Sequence, residues 1–193
     1  MVAIEIDPAM IAALAERFPD QENLLVHQGD VLQTDLAQWG PAVLAGNIPY
    51  YITSPILDRI FAARHAITEA TILIQKEVAQ RLVAQPGTRD YGLLSVKTQL
   101  FADAKYLFGV PPGAFRPPPK VDSAVVHLTM KPGDDREEFL QFASRCFSQK
   151  RKTLRNNLAG FYGKEKIEAQ PESGLRAEQM SIAQLENLFQ RLG

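Results

Sequence analysis
An α/β domain with an open, largely parallel sheet, followed by a small all-helical unit, is the fold class predicted by this chain of 193 residues. Three observations predict it. Short apolar runs alternate with stretches of helical spacing as far as Met130, the pattern of βαβ units whose helices cover a sheet. Glu5, Asp30 and Asn47 each stand at or just after the end of one of these runs, where open sheets hold their ligands. Beyond Lys131-Pro132-Gly133 only helical periodicity remains, so a domain boundary is placed near Gly133, with residues 1–132 forming the sheet domain and 133–193 the helical one.

The elements follow in order. Val2 to Ile6 is a first short strand, and Pro8 to Phe18 a helix with Asp7 as N-cap and Pro8 at the first helical position. Leu24 to His27 and Ala42 to Ala45 read as the next two strands, the first followed by a Gly-Asp turn and the second by Gly46-Asn47-Ile48-Pro49-Tyr50. Ser54 to Ala63 is a helix and Ala70 to Ile74 a strand, followed by helices over Lys76 to Ala84 and Tyr91 to Phe101. Two strands, near Ala104 to Gly109 and over Ser123 to Met130, flank a loop with five prolines, Pro111, Pro112, Pro117, Pro118 and Pro119. Helices are then expected over Asp135 to Ser148, Arg151 to Leu158 and Ser181 to Leu192, the last opened by a Ser181-x-x-Gln184 capping signal.

Composition excludes several classes of function. Cys146 is the only cysteine, which rules out an internal disulfide and leads us to expect a reducing, cytoplasmic setting. His27, His65 and His127 stand apart from one another, so no metal is expected. No apolar run reaches the length of a membrane span and no signal-peptide pattern is present, so no membrane association is expected. The formal charge of −1 conceals an asymmetry. Residues 1–60 hold eight acidic against two basic residues, which leaves nineteen basic against fourteen acidic in the remainder. A basic face toward the C-terminal end follows, centred on Ser144 to Asn157, where Arg145, Lys150, Arg151, Lys152 and Arg155 occur with no acid among them.

The Asn47 turn carries the most chemistry. The Asn47 amide oxygen and the Ile48 carbonyl can each accept a hydrogen bond from one exocyclic amino group. Pro49 donates none and fixes φ, which directs the carbonyl before it, and Tyr50 offers a ring for a planar base. Glu5 could accept the hydroxyls of a nucleoside ribose, and Asp30 a base amino group, although an acid at a strand end is also an ordinary helix cap.

Seven blocks then occur in an order that resembles a known family. They are Glu5-Ile6-Asp7, Gly29-Asp30, Gly46 to Tyr50, Gln75-Lys76-Glu77-Val78, Tyr91-Gly92-x-Leu94-Ser95-Val96, Phe115-x-Pro117-x-Pro119-Lys120-Val121-Asp122-Ser123-Ala124 and Arg151-Lys152-Thr153-Leu154-Arg155-Asn156. Together they closely resemble the KsgA/RsmA family of small-subunit rRNA adenine N6-dimethyltransferases, along the whole chain. The resemblance implies a Rossmann-like class I methyltransferase sheet and transfer of methyl groups from S-adenosylmethionine to two adjacent adenines of 16S rRNA in the immature 30S subunit. It implies a donor site at Glu5, Ile6, Asp30, Val31 and Asn47, and an adenine pocket formed by Asn47, Ile48, Pro49, Tyr50 and Phe115. Arg145, Lys150, Arg151, Lys152 and Arg155 would contact rRNA, with the protein a monomer.

One departure from the family pattern stands beside these matches. None of the twelve glycines is followed by another two residues later, so the glycine-rich turn that wraps the methyl donor is absent, as is the strand before it. The expectation is therefore an N-terminally truncated methyltransferase with an exposed sheet edge and an incomplete donor pocket. Two alternatives stay open: a non-catalytic RNA-binding or ribosome-assembly factor, and a related enzyme acting on large-subunit rRNA, against which the Phe115 to Ala124 and Arg151 to Asn156 blocks argue.

Overall fold
The structure, a computed structural model, describes all residues except Asp20, Asp134 and Asp135. Its strands form two groups. β1 (Val2–Glu5) pairs in parallel with β2 (Leu25–Gln28), while β3 (Ala42–Asn47), β4 (Ile67–Gln75), β5 (Ala102–Val110) and β6 (Ser123–Met130) form a four-stranded sheet in the order β3-β4-β6-β5. Within the larger sheet β3 and β4 are parallel, but β6 runs antiparallel to both β4 and β5. The largely parallel sheet expected from the sequence is thus antiparallel at two of the three pairings of the larger sheet. The reason is the connection between β5 and β6, a proline-rich loop with no crossover helix, which returns the chain along the same edge.

Side-chain alternation gives the larger sheet one buried and one open face. Ala70, Ile72 and Ile74 of β4 lie opposite Leu128, Val126 and Ala124 of β6, and all six are fully buried. Against them pack Ile56, Leu57, Ile60 and Phe61 of α2 (Thr53–Ala62), Ala79 and Leu82 of α3 (Lys76–Val83), and Phe101 of α4 (Leu93–Phe101). On the other face Val43, Ala45 and Asn47 of β3 are exposed, and Thr71 is hydrogen bonded to His127 Nδ1 at 3.0 Å across the strands. The smaller group is bound more loosely. No residue of β1 or of α1 (Pro8–Arg17) is buried, and the attachments to the main core include the half-buried Ile4, Val31 and Leu32, the buried Leu36 in the segment after β2, and the Arg59 guanidinium donating to the Thr34 carbonyl at 2.6 Å. β1 and β2 each have a single strand partner among the described residues.

The C-terminal helices surround a second core. α5 (Glu137–Cys146), α6 (Leu154–Tyr162), α7 (Lys164–Glu168) and α8 (Ile182–Leu192) contribute Phe139, Phe142, Cys146, Leu154, Leu158, Ile167, Leu185, Leu188 and Leu192. Ala84, Tyr91 and Val96 join them from upstream of residue 133, so the α3–α4 region serves both cores. The expected start of α5 at Asp135 lies outside the described residues. Burial pushes the Cys146 thiol up to about 12, so it stays protonated and behaves as a small apolar side chain.

Helix boundaries depart from expectation in two places with clear causes. α4 starts at Leu93 because Tyr91 is drawn into the second core and Gly92 takes the cap position, its N–H donating to Ser95 Oγ at 3.1 Å. α6 starts at Leu154, so the helix expected from Arg151 loses its first turn. The Leu154 and Arg155 N–H groups donate instead to the carbonyls of Leu175 and Ser173, at 2.8 and 3.0 Å. Those long-range partners satisfy donors that every helix N-terminus leaves open.

Asn157 holds the turn before α6. It is buried, and its Nδ2 donates to the Cys146 carbonyl at 2.7 Å and the Gln149 carbonyl at 3.3 Å. Asn157→Ala should lower the unfolding free energy by about 1–3 kcal/mol in urea titrations, the cost of leaving those acceptors unpaired. An unchanged midpoint and slope would show that the turn does not depend on this amide.

Candidate active site and nucleic-acid interface
Sheet topology gathers the acceptor residues on one rim. Asn47 ends β3 opposite Leu73, Gln75 ends β4 opposite Ser123, and Ser123 begins β6 opposite Val110 at the end of β5. The loop between β5 and β6, which carries Phe115, therefore opens and closes on this rim. Alternation then divides the turn. Ile48 is buried, only 7% exposed, and its N–H donates to the Leu73 carbonyl at 3.0 Å, while Asn47 is exposed. Neither the Asn47 amide nor the Ile48 carbonyl has a hydrogen-bond partner among the described residues. Two acceptors in successive residues are thus left open.

The turn itself is fixed from below. The Pro49 carbonyl accepts from the Ile52 N–H at 3.1 Å, and the Thr53 hydroxyl donates to the Tyr50 carbonyl at 3.2 Å, which shapes a single 3-10 turn over Tyr50–Ile52 ahead of α2. The Tyr50 hydroxyl lies 2.5 Å from Ser123 Oγ, so the ring is tethered at its far end to the start of β6. One residue earlier, the Asp122 carbonyl accepts from the Lys76 N–H at 2.9 Å, and its carboxylate lies 3.4 Å from Lys76 Nζ. Phe115 is half-buried in the same loop. Ser123, Asp122 and Lys76 were not singled out from the sequence as site residues. The available signal was their place inside the blocks that carry the resemblance.

Glu5 and Asp30 lie at the carboxyl ends of β1 and β2, next to each other, since the Gly29 N–H donates to the Glu5 carbonyl at 2.9 Å. Each uses one carboxylate oxygen locally. Glu5 Oε1 accepts from the N–H groups of Ile6 and Asp7 at 2.8 and 2.9 Å, and Asp30 Oδ1 from the Leu32 N–H at 2.8 Å. The second oxygen of each has no partner among the described residues. Ile6 is exposed and Val31 half-buried beside them. Asp7 is the helix cap expected of it, accepting from the Ala9 N–H at 2.8 Å.

The five cations before and within α6 separate into two kinds. Arg145 donates to the Tyr162 hydroxyl at 3.2 Å and lies 4.7 Å from the centre of the Phe161 ring, Lys150 donates to the Arg89 carbonyl at 2.6 Å, and Arg155 pairs with Glu168 at 3.6 Å. The Arg151 and Lys152 side chains are exposed and have no hydrogen bond or ion pair among the described residues, while the Lys152 N–H donates to the Gln149 carbonyl at 2.9 Å. They sit in the turn that Asn157 clamps, not in a helix. Among the described residues no group of three or more His, Cys, Asp or Glu side chains could hold a metal ion, and no helix is long and apolar enough to cross a membrane.

Comparison with known proteins places this geometry in context. Residues 1–192 match the family described as ribosomal RNA adenine dimethylase. The ribosomal RNA small subunit methyltransferase A of Chlorobaculum parvum is 45% identical over 196 residues, covering 98% of this chain and 70% of its own length. The protein of the same name from Acidobacterium capsulatum is 44% identical, with 100% and 73% covered. Among solved structures, a dimethyladenosine transferase from Plasmodium falciparum superposes with a TM-score of 0.84 at 27% identity, covering 100% of this chain and 82% of that one. The 23S rRNA methyltransferase ErmE superposes with a TM-score of 0.73 at 28% identity, over 99% and 81%.

Proposed function
Because the chain belongs to the ribosomal RNA adenine dimethylase family, we propose that the rim around Asn47 takes an adenine of small-subunit rRNA and presents its amino nitrogen for methylation. The reaction is transfer of methyl groups from S-adenosylmethionine to two adjacent adenines during maturation of the 30S subunit in the cytoplasm, by a protein acting as a monomer. The observation that carries this reading is the pair of open acceptors at Asn47 and Ile48, beside a tyrosine ring tethered at its hydroxyl.

The chain's own residues account for the acceptor chemistry. An adenine amino lone pair is delocalised into the ring. With its two protons accepted by the Asn47 amide oxygen and the Ile48 carbonyl, electron density is held on nitrogen. No strong base is needed, because positioning and exclusion of water do most of the work and the nitrogen, made cationic and strongly acidic as it gains the methyl group, gives up its proton to solvent afterwards. The target base must leave its stack to reach the rim, where Tyr50 and Phe115 receive its two faces.

The donor set is chemically suited to a nucleoside. The unpartnered oxygens of Glu5 and Asp30 are acceptors, matching ribose hydroxyls and an adenine amino group, and Ile6 and Val31 supply apolar contact. S-Adenosylmethionine, when bound, supplies an electrophilic sulfonium methyl group. The family resemblance and the identity to the curated relatives favour an enzyme over a non-catalytic assembly factor. Arg151 and Lys152 are the cations best placed for rRNA phosphates, with Arg145, Lys150 and Arg155 bracing the turn that presents them.

In methyl-transfer assays with labelled donor and immature small subunits, Asn47→Ala should reduce turnover by roughly a hundredfold or more, the scale seen when one group that stabilises a transition state is removed. RNA affinity should stay within a few-fold. Robust dimethylation by that variant would sink the role given to Asn47. Filter-binding measurements across a salt series should show Arg151→Glu with Lys152→Glu weakening rRNA binding and flattening its salt dependence by about two units of slope. Binding untouched at moderate salt would remove the turn from the interface.

A further inference from the structure
Next to the tethered Tyr50 stands a second ring with the opposite environment. Tyr51 is 87% exposed, occupies the middle of the 3-10 turn at the rim, and has no hydrogen bond or ring contact among the described residues. Its backbone is nonetheless fixed, because the Pro49 and Tyr50 carbonyls on one side and Ile52 and Thr53 on the other close the turn. Single exposed rings are ordinary on protein surfaces, and what sets this one apart is its fixed place on the acceptor rim, in the residue after Tyr50.

The surroundings specify the chemistry of what covers it. The Tyr50–Ser123 contact joins this turn to the end of the β5–β6 loop. That loop carries Arg116 and Lys120, both exposed and without an ion pair among the described residues, whereas its one acid, Asp122, is already matched by Lys76. A free ring on one segment and free cations on the loop tied to it supply the combination that binds single-stranded nucleic acid, bases stacking on aromatics while phosphates meet basic side chains.

Resting on the reading that Asn47 to Tyr50 take the target adenine, we propose that Tyr51 stacks on the base of the nucleotide adjoining that adenine. Arg116 and Lys120 engage the phosphates of the same strand. Tyr51 then acts as a positioning residue: a base extruded toward Asn47 leaves its neighbour without a stacking partner, and Tyr51 replaces the one it lost. Holding the neighbour fixes the path of the strand into the rim, on the acceptor side of the site and apart from Arg151 and Lys152.

A double-mutant cycle between protein and RNA tests this. Affinity of the 193-residue chain is measured for an rRNA hairpin with the target adenine, each neighbouring nucleotide in turn, or none made abasic. With wild-type protein, one abasic neighbour should weaken binding by about tenfold, the scale of one stacked base. Tyr51→Ala should weaken binding to the intact hairpin by a similar factor and be insensitive to that abasic change. Tyr51→Phe should behave as wild type, since stacking needs the ring and not the hydroxyl. Additive losses, or Tyr51→Ala binding as tightly as wild type, would overturn the proposal. Wild-type affinity indifferent to an abasic target would instead deny the adenine pocket on which the proposal rests.

Discussion
The alternation of side chains at the end of β3 is the constraint on which the rest of the site depends. A strand cannot send two successive residues to the same face. Ile48 is committed to the core, where it packs with the residues of β4 and α2, so Asn47 must face outward. The Ile48 carbonyl is open because the ladder stops there: the Ile48 N–H makes the last bond, to the Leu73 carbonyl, and the chain turns at Pro49 before another rung forms. Two acceptors of different kinds, one from a side chain and one from the backbone, thus emerge from an ordinary requirement of core packing. Tyr50, anchored through Ser123, then turns the following residues into α2.

The surrounding architecture is organised to keep that rim still. β4 is the pivot of the larger sheet, parallel to β3 and antiparallel to β6, and it brings the end of one and the start of the other to the same level. The proline-rich loop is tied down at Asp122 and Ser123 rather than along its length. The donor side is built differently. Glu5 and Asp30 are well oriented by backbone N–H groups, but they stand on a strand pair with no fully buried residue, attached to the main body by few contacts.

Much of this was legible in the chain, and the exceptions have physical causes. β6 matches its expected range residue for residue, because its apolar alternation is bounded by a proline-rich loop and by Lys131-Pro132. The capping box at Ser181 and Gln184 forms as read, since that signal is local. The start of α6 was not legible, because its first N–H groups find partners at Ser173 and Leu175, far along the chain. The basic cluster was legible as composition but not as function. Nothing in five cations within fourteen residues says that three of them brace the fold through Tyr162, Arg89 and Glu168 while Arg151 and Lys152 face solvent. The exposure of Tyr51 was not legible either, because no local signal separates an exposed tyrosine from a buried one.

The central claim is that Asn47 and Ile48 together recognise an amino group. The most direct measurement compares the affinity of the chain for an rRNA hairpin bearing adenine at the target position with that for one bearing purine, which has the same ring and lacks the amino group. Loss of two hydrogen bonds, each worth about 1 kcal/mol net, should weaken binding by roughly tenfold or more. Equal affinity for adenine and purine would contradict the account, because the two open acceptors would then be reading something else.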